Sequence, residues 1–321
     1  MKVFTVTNMW PLKDFPYYGV FVKEQVEALQ KHYPNINNKI YFINGKKNKL
    51  NYIWSIFNIN WLLLINKYDV IHIHYALSGI FLLFNPFRKS RVILTLHGSD
   101  FYSKNFYKRL VYYVLKQTSI IICLNDTMLS QLKKHNKEIH LIPCGVDTEF
   151  FKASKSEVQE DVFKVVFPSS KLREVKNYVL FDKIIQFLKV EHQLKIETIE
   201  LNNKSRLEVN SILNSADLLC MTSLTEGSPQ VIKEAMCCNT PIVSSNVGDV
   251  ERLLKNVSNC YVIDSYKVED FSNVILKILK LPKENRVTNG RLKIFELGLN
   301  EKNISSKIIN VYLSIIGNDK N

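Results

Sequence analysis

Residues 218–236 read Leu-Leu-Cys-Met-Thr-Ser-Leu-Thr-Glu-Gly-Ser-Pro-Gln-Val-Ile-Lys-Glu-Ala-Met, a strand, a polar turn and a helix in one run. The first four residues form a short apolar stretch of the kind buried inside a parallel sheet. Ser228 is a natural N-cap and Pro229 a natural first helical residue, so a helix is expected to start there. The same βα rhythm extends in both directions. In the second half, further strands are expected at 163–167, 195–199, 241–244 and 261–263. In the first half, strands are expected at 3–7, 39–43, 70–74, 92–96, 120–124 and 139–142, with helices at 20–32, 52–66, 102–117 and 127–136. The expected class is α/β, with two doubly wound parallel sheets. The polar stretch 151–161, Phe-Lys-Ala-Ser-Lys-Ser-Glu-Val-Gln-Glu-Asp, has no apolar period and precedes a fresh strand. It sets expected domains of 1–155 and 156–321, with the last helix packing back on the first domain.

Composition bounds the answer without naming it. The 321 residues are 46% hydrophobic and 23% charged, too apolar for a disordered chain. The opening Met-Lys-Val-Phe-Thr-Val-Thr-Asn alternates as a strand and lacks the parts of a signal peptide, so a cytoplasmic location is expected. The most apolar region, 53–84, is broken by Asn58, Asn60, Asn66, Lys67, Asp69, His72 and His74, so no membrane span is expected. Six cysteines without C-x-x-C spacing read as buried thiols.

Ligands of such folds bind at the carboxyl ends of the strands, so the residues just after each strand carry the chemistry. Neither a G-x-G-x-x-G fingerprint nor a phosphate-binding P-loop is present there. Glu226 lies just before the helix that starts near 229 and Glu234 just inside it, a spacing that suits the sugar and ribose ends of a nucleotide sugar. The amides of Gly227, Ser228 and Gln230, with Pro229 between them, would face the anionic link at the helix start. The competing reading makes Glu234 an ordinary first-turn acid and Glu226 a solvated one. Phe167-Pro-Ser-Ser-Lys-Leu-Arg-Glu-Val-Lys-Asn177 places Lys171, Arg173 and Lys176 in one loop, cations suited to a diphosphate. In Thr95-Leu-His-Gly-Ser-Asp100, His97 is either a hydrogen-bonded structural group or a polar group facing a ligand. The loop ending at Gly19 brings backbone toward a ligand in the same way. His72 and His74 alternate on one strand, without a third metal ligand at suitable spacing. With no D-x-D pair, no metal and no other cofactor is expected.

Taken together, these segments resemble the retaining glycosyltransferases of family 4, which have the GT-B architecture of two Rossmann-like domains facing across a cleft. The resemblance covers almost the whole chain. It rests on Gly19-Val-Phe-Val-Lys-Glu-Gln-Val-Glu-Ala-Leu29, Asp69 to Gly79, Leu96-His-Gly-Ser-Asp100, Ile142-Pro-Cys-Gly-Val-Asp147, the element from Glu226 to Glu234, and Ser245 to Glu251. It implies transfer of a sugar from a nucleotide diphosphate sugar to a hydroxyl of a glycan or lipid-linked acceptor, with retention, in bacterial surface polysaccharide synthesis. By that analogy Glu226 holds the donor sugar, Glu234 the ribose, and Lys176 with Lys171 the diphosphate, while His97 contacts the sugar near the reacting carbon. His72, His74, Ser99 and Asp100 fall on the acceptor side. The family has Arg five residues before the phosphate Lys, whereas here Lys171 stands there and Arg173 lies nearby, so both stand as second phosphate cation.

Two further classes compete: a nucleotide-sugar epimerase or phosphorylase-like enzyme of the same fold, and a nucleic-acid-binding protein suggested by the net charge of +13 alone. No nucleic-acid motif supports the latter, and no nucleic-acid partner is expected. The charge is uneven, residues 1–160 holding 21 Lys+Arg against 11 Asp+Glu. Within them, 101–116 interleaves aromatics and cations beside Arg88, Lys89 and Arg91. That stretch is expected either to lie on the inner face of the plasma membrane as a peripheral contact with anionic lipid, or to be a half-buried helix with solvated cations.

Overall fold

Val70–His74 is buried at every position, as a parallel strand covered on both faces must be. It is the third strand of a sheet whose elements, within the described residues 1–84, 92–101, 106–154 and 162–317 of this computed structural model, follow the βα rhythm closely. They are β1 (Lys2–Thr7), α1 (Val20–His32), β2 (Asn37–Phe42), α2 (Asn51–Ile65), β3 (Val70–His74), β4 (Val92–Thr95), α3 (Phe106–Gln117), β5 (Ile120–Cys123), α4 (Asp126–Leu132) and β6 (Glu138–Leu141). The second series is β7 (Phe163–Phe167), α5 (Tyr178–Glu191), β8 (Ile196–Glu200), α6 (Arg206–Ser215), β9 (Leu218–Met221), α7 (Gln230–Cys237), β10 (Ile242–Ser245), α8 (Val250–Leu254), β11 (Cys260–Ile263), α9 (Val268–Leu279) and α10 (Gly290–Glu296), and α11 (Glu301–Gly317) follows.

The six strands of the first sheet run β2-β1-β3-β4-β5-β6 and the five of the second β11-β10-β9-β7-β8, all in parallel register. In each sheet the winding reverses once, between β1 and β3 and between β7 and β9. Such a reversal leaves the loops after the two strands splayed apart, which is where open α/β sheets take ligands. Each sheet has its own core. Phe4, Ile73, Leu94 and Ile121 anchor the first, and Phe167, Phe181, Cys220 and Phe271 the second. All six cysteines are buried and free, and burial pushes the Cys220 thiol up to about 12.

The chain divides into two units, Met1–Gly145 with Glu301–Asn321, and Val146–Asn300. The division falls at 145/146, upstream of the 155/156 boundary expected from composition. The reason is that 147–151 is already tied to the second unit. Arg291 Nη1 donates to the carbonyls of Thr148 and Phe151 at 2.6 and 3.0 Å, and Asn210 Nδ2 to that of Phe150 at 3.0 Å. Residues 155–161 of the expected linker lie outside the described residues. In the first unit α11 packs on α1 and β3. There Glu301 Oε1 meets Lys31 Nζ and, at 3.1 Å, His32 Nε2.

Two local expectations need correction. The helix expected at 127–136 is α4, capped by the Asn125 side chain accepting from Met128 N, then a 3₁₀ turn at Lys133–His135 ended by Asn136 at φ 46°. Helix α7 starts at Gln230 with Pro229 in the cap position, one residue later than expected. Ser228 does not cap it, because its hydroxyl is committed to Asp249.

Candidate active site

In the second unit, the loops after β7 and β9 are stitched together at the winding reversal. Thr222 Oγ1 donates to the carbonyls of Lys176 and Asn177 at 3.1 and 3.0 Å, and Leu224 N to that of Val175 at 2.8 Å. Asn177 takes the left-handed conformation, φ 52°, to turn the chain into α5. This stitching brings Lys176 Nζ and Glu226 Oε1, 50 residues apart in sequence, into a half-buried ion pair.

Glu234 lies deeper, at 3% exposure, and accepts from Arg206 Nη2 at 2.7 Å. Arg206 opens α6 directly after Ser205, whose side chain forms a reciprocal capping box with Glu208. Its guanidinium also lies over the Phe151 ring, 4.7 Å from the centroid. Sequence reasoning missed Arg206. The sequence there carries a Ser-x-x-Glu pattern that signals a helix start, but nothing local links that start to Glu234.

Between the two acids, Ser228 Oγ donates to Asp249 Oδ2 at 2.8 Å and receives the fully buried Lys233 Nζ at 3.2 Å. Arg252 Nη2 adds a contact to the same Asp249 oxygen at 3.3 Å. Burial raises the Asp249 carboxyl above its ordinary value even though Lys233, Ser228 and Arg252 pull it down. Gly248, at φ 62°, seats this network against the acid-bearing loop. A Cβ there would stand 2.5 Å from the Gly227 carbonyl oxygen, so no other residue fits without moving the loop.

The basic loop is less uniform than its composition suggested. Lys171 is exposed, and its amide donates to Glu200 Oε1 at 2.9 Å. Arg173 turns its guanidinium back toward Ser169 Oγ, 3.4 Å away.

In the first unit, the residues after β3 and β4 form a second cluster. His72 is fully buried with both ring nitrogens occupied, Nδ1 by Tyr312 Oη and Nε2 by Thr95 Oγ1, each at 2.7 Å. Its nitrogens thus hold structure in this arrangement, where the acceptor-side assignment expected them to face a ligand. His74 Nδ1 lies 3.2 Å from His97 Nε2, and the His97 ring packs on Phe21. The buried His97 Nδ1 has no hydrogen-bond partner among the described residues. Burial holds His72 and His97 down to about 3 and His74 well below its usual value, so all three rings are neutral at pH 7. Asp100 is likewise an organiser. At 2% exposure, it accepts from the amides of Ala76, His97 and Phe101. Burial raises its carboxyl to about 6. Ser99 beside it is exposed. Tyr75, directly after β3, sits at φ 72°, a conformation strained for a bulky side chain. Gly19 takes φ 70° where a Cβ would come within 2.2 Å of the Met9 carbonyl carbon, so the chain enters α1 pressed on the loop after β1. Among the described residues, no group of three His, Cys, Asp or Glu side chains is arranged to hold a metal.

The family model for glycosyl transferases group 1 matches residues 127–291, just over half of the chain. The chain belongs to that family. A model for glycosyltransferase family 4 matches the front part, residues 19–150, and overlaps the first match over 127–150. A similar relative is the UDP-Gal:alpha-D-GlcNAc-diphosphoundecaprenol alpha-1,3-galactosyltransferase of Escherichia coli, 26% identical over 302 residues, 80% of this chain and 74% of that one. The fold of this glycosyl transferase is also that of sucrose-phosphate synthase from Thermosynechococcus elongatus, with a TM-score of 0.80 at 14% identity over 98% of this chain and 99% of the other. Anabaena Alr3699/HepE, solved in complex with UDP-glucose, gives 0.72 at 16% identity over 98% and 99%. Both sheets of this glycosyl transferase are thus those of the GT-B fold, and the two paired acids lie within the stretch matched to group 1.

Proposed function

We propose that this glycosyl transferase moves a sugar from a nucleotide diphosphate sugar to a hydroxyl of a glycan or lipid-linked acceptor, with retention of configuration. The observation that carries the reading is the pair of acid–cation contacts, Glu226 with Lys176 and Glu234 with Arg206, at the reversal point of one sheet. Each joins an acid able to accept from sugar hydroxyls to a cation able to meet phosphate. Glu226 takes the donor sugar, Glu234 the ribose, and Lys176 the diphosphate. Arg173 is the second phosphate cation, since its guanidinium turns back to the Ser169 end of β7 and binds an anion bidentately.

The reaction needs no protein nucleophile. The attacking hydroxyl gives its proton to an oxygen of the departing phosphate while Lys176 and Arg173 offset the charge that develops there. His97 meets the sugar as a neutral imidazole, because burial holds it unprotonated at working pH. The E. coli relative is named for UDP-Gal and a diphosphoundecaprenol substrate and HepE was solved with UDP-glucose, which supports a UDP-type donor and a lipid-linked acceptor.

The test is calorimetric titration of the chain with UDP, GDP and their sugars. Binding of one nucleoside diphosphate, lost in Lys176→Ala and Glu234→Ala, is expected. No binding of any of them, or equal binding by both variants, would overturn the reading.

A further inference from the structure

Helix α2 buries one face and leaves the other open, and both faces are apolar. On its inner side Ile56 is buried, and Ile59 and Leu63 join the first core. Its outer side carries Ile53, Trp54, Phe57, Trp61, Leu64 and Ile65, exposed by 52, 62, 63, 63, 77 and 59%. These recur three and four residues apart and so form one continuous stripe. The 3₁₀ turn Ala76–Phe84 packs beside α2 and extends the stripe with Phe84, 71% exposed. Together they leave on the order of 700 Å² of apolar surface in water, more than a soluble monomer tolerates without use for it.

Charge identifies what covers the stripe. From Ala28 to Tyr68 the chain has six lysines and no Asp or Glu. Lys46, Lys47 and Lys49 are exposed just before α2 and Lys67 just after it, so both ends of the stripe are cationic. A second copy docked stripe to stripe would set these lysines against one another, with no Asp or Glu on α2 itself to offset them. An anionic bilayer satisfies both features, since its headgroups take the lysines and its acyl boundary takes the tryptophans. With 15 residues, α2 is about 22 Å long, too short to span and suited to lie in the interface plane.

We propose that α2 is the face by which this chain docks on an anionic lipid bilayer. The helix expected from sequence to do so, α3, buries Val111, Val114 and Leu115 and turns out Tyr107, Lys108, Arg109, Tyr112 and Lys116. Among its described side chains the aliphatic ones face inward. Arg88, Lys89, Arg91 and Lys104, named with it, lie outside the described residues. The inference rests on the lipid-linked acceptor reading for its purpose only, because vesicle binding and nucleotide binding are separate measurements.

The experiment is sedimentation of the full chain with vesicles of phosphatidylcholine, with and without phosphatidylglycerol, read together with tryptophan fluorescence. Two of the three tryptophans are on the stripe, so binding reports on itself by a blue shift. The parent is expected to bind anionic vesicles and to weaken as salt rises. Trp54→Ser/Phe57→Ser/Trp61→Ser and Lys47→Glu/Lys49→Glu should each lose at least about tenfold in partitioning with unchanged Tm, while Lys108→Glu/Arg109→Glu keeps it. The proposal is overturned by no binding from a parent that still binds nucleotide, by equal binding to neutral vesicles, or by unchanged binding in the triple variant. A lipid-free dimer abolished by the same triple variant would overturn it too, by giving the stripe to a second copy.

Discussion

Arg206 Nη2 donates to Glu234 Oε1 at 2.7 Å, and the carboxylate it holds is all but sealed from water. Removing the guanidinium strands a buried charge, a change that costs about 1–3 kcal/mol. Arg206→Ala should lower the unfolding free energy obtained from urea melts by that amount and weaken nucleoside diphosphate binding about tenfold. Adding Glu234→Gln should restore stability, because the neutral amide needs no counter-ion, without restoring binding. Recovery of both would make the pair structural only.

Lys176 and Glu226 form one ion pair but are assigned different parts of the donor. Lys176→Ala should weaken binding of the nucleoside diphosphate itself by roughly tenfold to a hundredfold. Glu226→Ala should leave that binding within about threefold and lower kcat with the complete donor. Calorimetry with the diphosphate alone, beside turnover with its sugar, separates the two.

The loop cations are distinguished in the same assay. Both residues are exposed, but the Arg173 guanidinium reaches back to Ser169 Oγ, so Arg173→Ala should weaken diphosphate binding at least about fivefold, whereas Lys171→Ala should cost less than about twofold. The reverse order would assign the second phosphate contact to Lys171.

Charge compensation by Lys176 and Arg173 predicts full transfer activity in excess EDTA. A loss restored by magnesium or manganese would require a carboxylate clamp that these cations do not replace.

Burial sets the pH response of the first unit. His72, His74 and His97 titrate lower in the folded chain than unfolded, so their neutral forms support the fold fully above about pH 6.5. As pH falls below that value the unfolded state takes up protons that the folded state refuses; His72 and His97 each cost about 2 kcal/mol by pH 5, and His74 acts in the same direction. Asp100 acts with opposite sign. Its folded value, raised to about 6, lets the folded state bind a proton first and recovers part of the loss. Thermal melts at pH 7.5 and 5 should show a net drop in Tm, smaller in His97→Phe, which removes one of the three titrations. An unchanged or higher Tm at pH 5 would contradict the neutral cluster.

Strands were legible because runs such as Ile120–Cys123 are short, mostly β-branched and apolar throughout, as a strand covered on both faces is. Glu226, Glu234 and Lys176 were legible for another reason, since a parallel sheet sends the residues after its strands to one edge. Arg206 was not, because its link to Glu234 spans 28 residues and its surroundings read as an ordinary helix start. Ser228 looked like a cap because capping is a local rule, and the acid that claims its hydroxyl comes 21 residues later. The open side of α2 was hidden too. A helix apolar on all sides reads as buried, and periodicity cannot say which apolar side lacks a neighbour.

The bond from Tyr312 to His72 joins residues 240 positions apart. Val146–Asn300, by contrast, is closed upon itself. On a ribosome, then, the middle of the chain can reach its final form while the front part still waits for α11 to cover β3. For that interval the imidazole of His72 lacks its phenol partner, and the side of β3 that α11 will cover is bare to whatever meets the nascent polypeptide. Order of synthesis thus makes the sheet that starts first the one that finishes last.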